Sequence, residues 1–329
     1  MLSKKRIIIT AGEPASISTE ITVKSLKNYK SNKEVEIVFI TDPSLVENYC
    51  LKSNINLPVN VLSKKNNFFD YKYNFLNIIP IKLEKQPSPG VLEIENCKFV
   101  EQSILNAIKL LNEKLGTAIV TNPINKFIMK KNGFSFNGHT EFLGSLSGQK
   151  NNPVMLLHSK NLNVVPITTH IPIKEVSKSI TQKILIEKIV ILNFEIKKYF
   201  KIKHPKICVS GLNPHSGENG EIGQEEIEKI IPAINVLKKK GLNVFGPISA
   251  DIMFEKNYIK KYDVAVCMYH DQALIPIKTL NFNQVVNITL GLDFLRTSPD
   301  HGTALDIAGL NKANPQSMIN AIKKAIELT

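Results

Sequence analysis

Short apolar runs alternate with longer segments of helical period along most of the chain. Apolar runs at residues 6–10 and 35–41 flank a helical pattern near residues 19–29, which predicts a strand, a helix and a second strand in succession. A glycine-containing turn, residues 11–18, connects the first strand to the helix. This alternation predicts an α/β fold with a parallel sheet.

The alternation returns after residues 51–89, a stretch that shows no clear period. Helical spacing at residues 93–114 precedes a strand at 117–120, and strands at 162–168 and 207–210 also end in polar sequence. A long amphipathic helix is predicted between the last two strands, with an apolar face formed by Leu185, Ile189, Leu192 and Ile196.

Prolines mark the helices of the C-terminal half. Residues 224–240 have a helical pattern that contains Pro232, so this helix is predicted to be kinked or divided in two. The last helix is predicted to begin near Pro315, because proline is favoured in a first helical turn.

Composition limits the class of protein. The chain has 329 residues and is 43% hydrophobic, which favours two domains, although a single large α/β domain stays open. It has no apolar run of about 18 residues, so no membrane span is predicted. The basic start is followed by only a short apolar run, which favours a first strand over a signal peptide and a cytoplasmic protein over a secreted one.

Charge and cysteine usage agree with a cytoplasmic protein. The net charge of +13 comes mostly from lysines on helical stretches, and without a nucleic-acid-binding motif we interpret them as a solvated surface and expect no nucleic-acid partner. A basic cleft for an anionic substrate is compatible with this charge. The four cysteines form no CxxC pair, and Cys208 and Cys267 lie in strand-like runs, so they are predicted to be small core residues.

Three histidines share one context, since His170, His215 and His270 each come shortly after a predicted apolar strand. A single histidine at a strand end is more often structural than a ligand. Because the ends of parallel strands meet at one edge of a sheet, three together predict an open site for Zn²⁺ or a similar divalent ion. His158 and His204 lack this context and are interpreted as surface residues.

Other polar residues form further candidate sites. Lys278, Asn287 and Arg296 follow one another at wide spacing, and they are either solvated residues or a clamp for a phosphorylated amino or hydroxy acid. His139 and Thr140 lie at a loop-to-helix junction, a place suited to an anion. No GxGxxG follows the first strand, so a Rossmann dinucleotide site is not predicted.

Six segments resemble the 4-hydroxythreonine-4-phosphate dehydrogenase family of pyridoxal 5′-phosphate biosynthesis. They are TNPINK, GHTEFL, TTHIP, GLNPHSGENG, MYHDQ and NITLGLDFLRTSPDHGTALDIAG. The resemblance implies two α/β/α domains with a cleft between them, similar to isocitrate and isopropylmalate dehydrogenases. The expected first domain comprises residues 1–130 and about 285–329, and the second about 131–284.

The resemblance also implies roles for residues. It implies that a divalent metal, Zn, Mg or Co, is bound by His170, His215 and His270. It implies a homodimer whose active site draws on both subunits, and NAD or NADP as cofactor, with His301 and Asp306 as candidates for cofactor contact. Asp251 and Lys278 are weak candidates for the proton acceptor. The implied substrate residues are His139, Thr140, Lys278, Asn287 and Arg296.

The implied reaction is a metal-dependent oxidation of 4-phosphooxy-L-threonine followed by decarboxylation. The same chemistry on a related phosphorylated hydroxy acid is an alternative, as is a non-catalytic relative that binds metal or a phosphometabolite. The second alternative rests on the first turn, where the family pattern is G-[DE]-P-A-G-I-G-P-E. Here Ser16, Ser18 and Thr19 replace two glycines and the proline, and their side chains are expected to crowd space that glycine leaves open.

Overall fold

The computed structural model describes residues 4–27, 29, 32–65, 68–136, 138–148 and 153–329. The chain divides into two compact units. Unit 1 comprises Met1–Gly148 and Asp293–Thr329, and unit 2 comprises Gln149–Leu292. The expected borders near residues 130 and 285 would place His139 in the second domain and Asn287 in the first, whereas the compact units contain them the other way round.

Helices and strands alternate over most of the chain, as the sequence predicts, except within residues 51–89, where four strands follow one another without a helix between them among the described residues. In the N-terminal part of unit 1 they are β1 (Lys5–Thr10), α1 (Ser18–Lys27), β2 (Val35–Thr41), α2 (Pro43–Lys52), β3 (Val59–Val61), β4 (Lys64–Lys65), β5 (Phe68–Phe69), β6 (Leu76–Pro80), α3 (Cys97–Asn112), β7 (Ala118–Val120), α4 (Lys126–Lys131) and α5 (His139–Leu146).

Unit 2 comes next, and the chain then returns to unit 1. Unit 2 contains β8 (Val154–His158), β9 (Asn163–Pro166), α6 (Ile173–Ser179), α7 (Gln182–Phe200), β10 (Ile207–Ser210), α8 (Ile231–Lys239), β11 (Val244–Ile248), α9 (Ala250–Met253), β12 (Val264–Cys267), α10 (His270–Asn281) and β13 (Val286–Leu290). The returning segment of unit 1 contains β14 (Leu295–Pro299) and α11 (Gln316–Leu328).

The sheet of unit 1 is parallel throughout, in the order β14-β7-β1-β2-β6-β3. Every residue of β2 is buried, which requires cover on both faces of the sheet. α3 packs on β1 and β2, and α11 packs on β14 and β7. The predicted strand-helix-strand opening is therefore confirmed, and its Ile- and Val-rich strands suit a parallel sheet covered on both sides.

The sheet of unit 2 is mixed, in the order β11-β10-β12-β9-β8-β13. β11, β10, β12 and β9 are parallel, whereas β8 runs antiparallel to both β9 and β13. β10, β12 and β9 are thus adjacent and point the same way. Their carboxyl ends lie at one edge of the sheet.

Helix packing in unit 2 follows the predicted pattern for α7 and α8, whereas α6, α9 and α10 were not predicted. Leu185, Ile189, Leu192 and Ile196 of α7 are all buried, which confirms its predicted apolar face. The predicted division at Pro232 is also confirmed, since a π-helical turn at Glu226–Ile230 gives way to α8, and proline cannot donate an α-helical hydrogen bond. Helix α6 was not predicted, because its seven residues are too few to show a period.

The cysteines are core residues, and all four are buried thiols. Burial raises the pKa of Cys97 to about 11 and that of Cys208 to about 12. Both thiols therefore stay protonated at neutral pH and act as small apolar groups. In the described part of the chain, no helix combines the length and the apolar character needed to cross a bilayer.

Candidate functional site

The carboxyl edge of the unit 2 sheet carries the three predicted metal ligands. His215 follows β10, His270 begins α10 directly after β12, and His170 follows β9. Because these strands are adjacent and parallel, their ends present the three histidine-bearing segments side by side. Three imidazole donors are thereby placed along one edge of one sheet.

Hydrogen bonds join the three segments to one another. The Thr168 hydroxyl donates to the Met268 carbonyl over 2.8 Å, linking the His170 and His270 segments. Gln272 links the His270 and His215 segments. Its Nε2 donates to the Gly211 carbonyl at 2.9 Å. Its Oε1 accepts from Met268 N at 2.7 Å and from the Ser210 hydroxyl at 2.9 Å. The sequence pattern missed this role of Gln272, although its place two residues after His270 was a signal.

The rings of His170 and His270 are neighbours, tilted by 47° to each other. Their ring centres are 5.7 Å apart. Two imidazoles on one tetrahedral ion, with metal–nitrogen bonds of about 2.1 Å, would have ring centres roughly 5 Å apart. His270 Nδ1 lies 2.7 Å from Asp271 Oδ1, so its Nε2 is left as the ligand atom.

His215 lies on a turn of unusual conformation. Its side chain is 70% exposed, and its Nδ1 lies 3.0 Å from Glu218 Oε2. His215, Ser216, Glu218 and Asn219 all have positive φ angles, between 43° and 55°. Left-handed backbone costs about 1–2 kcal/mol for each residue other than glycine, so this turn requires support from its surroundings.

The residues present fit a divalent metal in their chemistry. Three neutral imidazoles suit Zn²⁺ or Co²⁺, and carboxylates on the Nδ1 atoms of His215 and His270 are the usual outer partners of metal-bound histidine. Within the described residues, however, no group of three or more His, Cys, Asp or Glu side chains is gathered closely enough to hold an ion. The conformation described brings together His170 and His270.

Asp251, a candidate proton acceptor, lies on α9 in the neighbourhood of His215. The Ser249 hydroxyl donates to its carboxylate and is the main cause that lowers the pKa of Asp251, with a smaller contribution from His215. A carboxylate with a lowered pKa is a weak base near neutral pH. Asp251 therefore contributes negative charge beside His215 more readily than it accepts a proton.

Lys278 and Asn287 lie away from the histidine edge. At about 1.5 Å per residue, α10 carries Lys278 roughly 12 Å along its axis from His270. Asn287 is on β13, three strands from β12, which corresponds to roughly 14 Å across the sheet. The Asn287 Oδ1 is buried and has no hydrogen-bond partner among the described residues. Within unit 2, these two predicted substrate residues are not brought to the three histidines.

Unit 1 contains a second cluster, at the N-terminus of α5. His139 and Thr140 are the first two residues of this helix, as predicted, and Phe142 anchors it by an edge-on contact with Phe134 and a tilted contact with Phe136. Arg296 of β14 is 4% exposed and donates from Nε and Nη2 to the Thr121 hydroxyl, at 3.0 and 2.7 Å. These residues surround a helix end whose backbone N–H groups attract anions.

Lys126 belongs to the same cluster, although the sequence pattern did not single it out. It is the first residue of α4, which Asn125 caps by accepting from Phe127 N and Ile128 N. A Cβ atom placed on Gly138 would lie 3.2 Å from the Lys126 Cε and 3.6 Å from its Nζ. The ammonium group thus stands beside the first residues of α5. One lysine among so many gave no signal in the sequence.

Burial sets the charge states in this cluster. Burial lowers the pKa of His139 well below its ordinary value, and the positive charges of Arg296 and Lys126 lower it further. His139 is therefore a neutral imidazole, and its Nε2 is buried without a hydrogen-bond partner among the described residues. Burial also lowers the pKa of Arg296 to about 10, which leaves it charged at neutral pH. The cluster thus combines two cations, an uncharged donor and the carboxylate of Glu141, which faces Arg296 and Lys126 in the first turn of α5.

The loop after β14 holds the candidate cofactor residues. His301 Nδ1 lies 3.0 Å from the Gly302 carbonyl, and its Nε2 is buried with no partner in the described part of the chain. Asp306 lies exposed on a short 3₁₀ turn. An imidazole nitrogen and an exposed carboxylate are groups that can bind ribose hydroxyls, so the loop fits a nucleotide.

The first turn accommodates its unusual side chains by hydrogen bonding. The Ser16 hydroxyl donates to the Glu13 carbonyl at 2.6 Å and lies 2.8 Å from the Ser18 hydroxyl, which in turn lies 3.3 Å from the Pro123 carbonyl. Ser16, Ser18 and Thr19 are all buried. The added side chains therefore fill the interior of the turn, where both serine hydroxyls have hydrogen-bond partners.

Sequence comparisons place the chain among enzymes of one kind. It matches the family model of the pyridoxal phosphate biosynthetic protein PdxA over residues 33–325. It is 42% identical over 325 residues to the 4-hydroxythreonine-4-phosphate dehydrogenase of Wigglesworthia glossinidia brevipalpis, covering 98% of this chain and 96% of that protein. It is 40% identical over 324 residues to the protein of the same name from Shewanella frigidimarina, covering 98% of both.

Solved structures agree with the sequence matches. The crystal structure of 4-hydroxythreonine-4-phosphate dehydrogenase from Klebsiella pneumoniae is similar with a TM-score of 0.88 and 33% identity, covering 99% of both chains. A terephthalate 1,2-cis-dihydrodiol dehydrogenase from Burkholderia xenovorans has a TM-score of 0.65 at 22% identity, which is a likeness of fold alone. These similarities confirm the predicted fold class.

Proposed function

This chain belongs to the family of the pyridoxal phosphate biosynthetic protein PdxA, and we propose that it is a 4-hydroxythreonine-4-phosphate dehydrogenase. The reaction oxidises 4-phosphooxy-L-threonine with NAD or NADP to 2-amino-3-oxo-4-phosphooxybutanoate, which loses CO₂ to give 3-amino-2-oxopropyl phosphate on the way to pyridoxal 5′-phosphate. The observation that carries the proposal is the sheet edge where three adjacent parallel strands each lead to a histidine.

His170, His215 and His270 would hold the divalent ion, and their imidazole donors favour Zn²⁺ or Co²⁺ over Mg²⁺. When bound, the ion would supply a Lewis acid for the substrate hydroxyl and the nicotinamide a hydride acceptor. Asp271 fixes the orientation of the His270 ring through its 2.7 Å contact with Nδ1. His301 and Asp306 are the proposed contacts of the nicotinamide cofactor.

The cluster at α5 is the proposed phosphate site. Arg296 and Lys126 supply positive charge, and the N–H groups of the first turn of α5 supply donors. A neutral His139 can donate a hydrogen bond to a phosphate oxygen or to the substrate carboxylate without adding a third cation. Thr140 offers a hydroxyl at the same helix end. Together these groups would bind the substrate by its anionic end.

The position of Lys278 and Asn287 supports a homodimer with shared sites. By helix and strand geometry, Lys278 lies roughly 12 Å along α10 from His270, and the strand of Asn287 lies roughly 14 Å across the sheet from the strand that precedes His270. We assign them to the site of a second copy of the chain, with Asn287 Oδ1 as the acceptor for a substrate donor. The cytoplasm, where thiols stay reduced, is the proposed compartment.

Alanine replacement of the metal ligands tests the proposal. The variants H170A, H215A and H270A are each expected to lose both bound metal and the formation of reduced nicotinamide from 4-phosphooxy-L-threonine. H204A is the matched control, since His204 is exposed and lies outside the sheet edge. A variant that lacks metal but keeps full turnover would contradict the proposal.

A further inference from the structure

The turn that carries His215 has an unfavourable backbone conformation. Residues His215, Ser216, Gly217, Glu218 and Asn219 form an unbroken left-handed run, with φ angles from 43° to 83°. Four of these five residues carry side chains, which disfavour this conformation. Such a run persists when surrounding groups hold its ends in place.

Glu226 holds the start of this turn. It lies in the π-helical turn before α8, and only 1% of it is exposed. Its Oε1 accepts from Leu212 N at 2.7 Å and from Asn213 N at 2.8 Å, and its Oε2 accepts from Asn213 Nδ2 at 2.8 Å. A single buried carboxylate thus receives three hydrogen bonds from the two residues that follow Gly211.

The same carboxylate also lies against the left-handed run itself. A Cβ atom on Gly217 would lie 2.7 Å from Glu226 Oε2, so the turn passes closely over the carboxylate where glycine permits it. Glu225 reinforces the arrangement, because its Oε2 accepts from Asn213 Nδ2 at 2.8 Å and its Oε1 accepts from the Ser177 hydroxyl. The turn is therefore attached to both the π-helical turn and α6.

We propose that Glu226 is a positioning residue for the metal site: by binding the backbone of Leu212 and Asn213 it keeps the left-handed turn in the conformation that presents His215 at the sheet edge. The inference rests on the proposed role of His215 as a metal ligand. Glu226 itself does not touch the metal or the substrate. It acts through His215, as the outer partners of metal ligands do in general.

Two variants of the full chain separate this role from general stability. E226A removes all three hydrogen bonds, whereas E226Q keeps an oxygen for the two backbone N–H groups and places an amide against the Asn213 amide. E228A is the matched control, because Glu228 is exposed two residues away. Thermal unfolding, followed by circular dichroism, identifies any variant that fails to fold. If E226A does not fold, E226Q is compared with the wild type instead.

Two readouts are measured on metal-free protein. One is hydrogen exchange of the segment containing residues 212–219, and the other is the affinity for Co²⁺, followed by its visible absorption. E226A is expected to exchange faster in this segment and to bind Co²⁺ about 10–100-fold more weakly, the range found for outer partners of metal ligands. E226Q is expected to lie between E226A and the wild type, and E228A to match the wild type.

The outcomes distinguish failure of the proposed metal site from failure of the proposed role of Glu226. Wild-type protein that binds no Co²⁺ would overturn the metal site and, with it, the role of Glu226. Wild-type binding together with unchanged Co²⁺ affinity in a folded E226A or E226Q protein would overturn only the role of Glu226. Weaker Co²⁺ binding without faster exchange of residues 212–219 would also contradict it, because the turn would then have kept its conformation.

Discussion

At the scale of single residues, the α5 cluster shows how burial determines which groups bind an anion. Arg296 keeps its charge although it is nearly fully buried, and His139 loses the ability to carry one. Lys126, which is exposed, adds a second cation at the same helix end. A phosphate would therefore meet one buried cation, one exposed cation and a neutral donor, beside the carboxylate of Glu141.

Replacing Lys126 with alanine tests this cluster. A charge-assisted hydrogen bond contributes about 1.5–3 kcal/mol, so K126A is expected to raise the KM for 4-phosphooxy-L-threonine by at least about tenfold with a smaller change in kcat. Steady-state kinetics measures both constants. K131A is the control, because the Lys131 ammonium lies over the Phe127 ring, 4.5 Å from its centre. Equal KM values for K126A and K131A would exclude Lys126 from the phosphate site.

The neutral state of His139 predicts a dependence of stability on pH. Since folding lowers the pKa of His139, the unfolded chain binds the extra proton first as pH falls below about 6.5, and the folded state loses stability there. Relative to H139Q, the wild type is expected to lose up to about 1.4 kcal/mol of unfolding free energy per pH unit below that value. Urea unfolding at several pH values measures the difference. Parallel pH profiles for the two proteins would show that His139 titrates normally.

At the scale of elements, periodicity predicted the opening strand-helix-strand unit, the strands that lead to the histidines and the face of α7, but not β3 to β6 or α10. The buried strands and the face of α7 follow directly from apolar spacing, and the strand ends indicated the histidine edge. Periodicity did not indicate α6, which is short, or the left-handed turn at His215, because positive φ angles at residues other than glycine depend on tertiary hydrogen bonds. The roles of Lys126 and Gln272 were missed for a related reason, since they arise from contacts between distant segments.

Gln272 offers a test of how the strand ends are joined. Q272L would leave the Met268 N–H, the Gly211 carbonyl and the Ser210 hydroxyl without their buried partner, at a cost of about 1–3 kcal/mol for each group that water cannot reach. Lower unfolding free energy in urea and weaker Co²⁺ binding are both expected. Q182L, at the exposed start of α7, is the control. Wild-type Co²⁺ affinity in Q272L would mean that the histidine-bearing segments are held together without Gln272.

At the scale of the whole molecule, the proposed site combines residues from two copies of the chain. The histidine edge and the Lys278–Asn287 pair lie apart in unit 2, and we propose that two copies of the chain combine them in one site. The strand ends indicated the histidine edge in the sequence, but the spacing of residues along the chain does not show which of them meet across a symmetric interface.

Mixing two inactive variants tests the shared site. H215A and K278A are each expected to be inactive alone. When they exchange subunits, half of the dimers are mixed and each mixed dimer contains one intact site, so about a quarter of wild-type activity is expected. A mixture that stays inactive, although mixed dimers are shown to form by differential tagging, would place Lys278 and His215 in the same chain's site.

The central claim is that this chain oxidises 4-phosphooxy-L-threonine with a nicotinamide cofactor at a histidine-bound metal. The most direct measurement is the formation of reduced nicotinamide by the purified full chain supplied with Zn²⁺ or Co²⁺, the substrate, and NAD⁺ or NADP⁺. The account predicts reduced nicotinamide and CO₂ in equal amounts, and neither product from H270A. Absence of reduced nicotinamide with both cofactors and both metals, in folded wild-type protein, would contradict it.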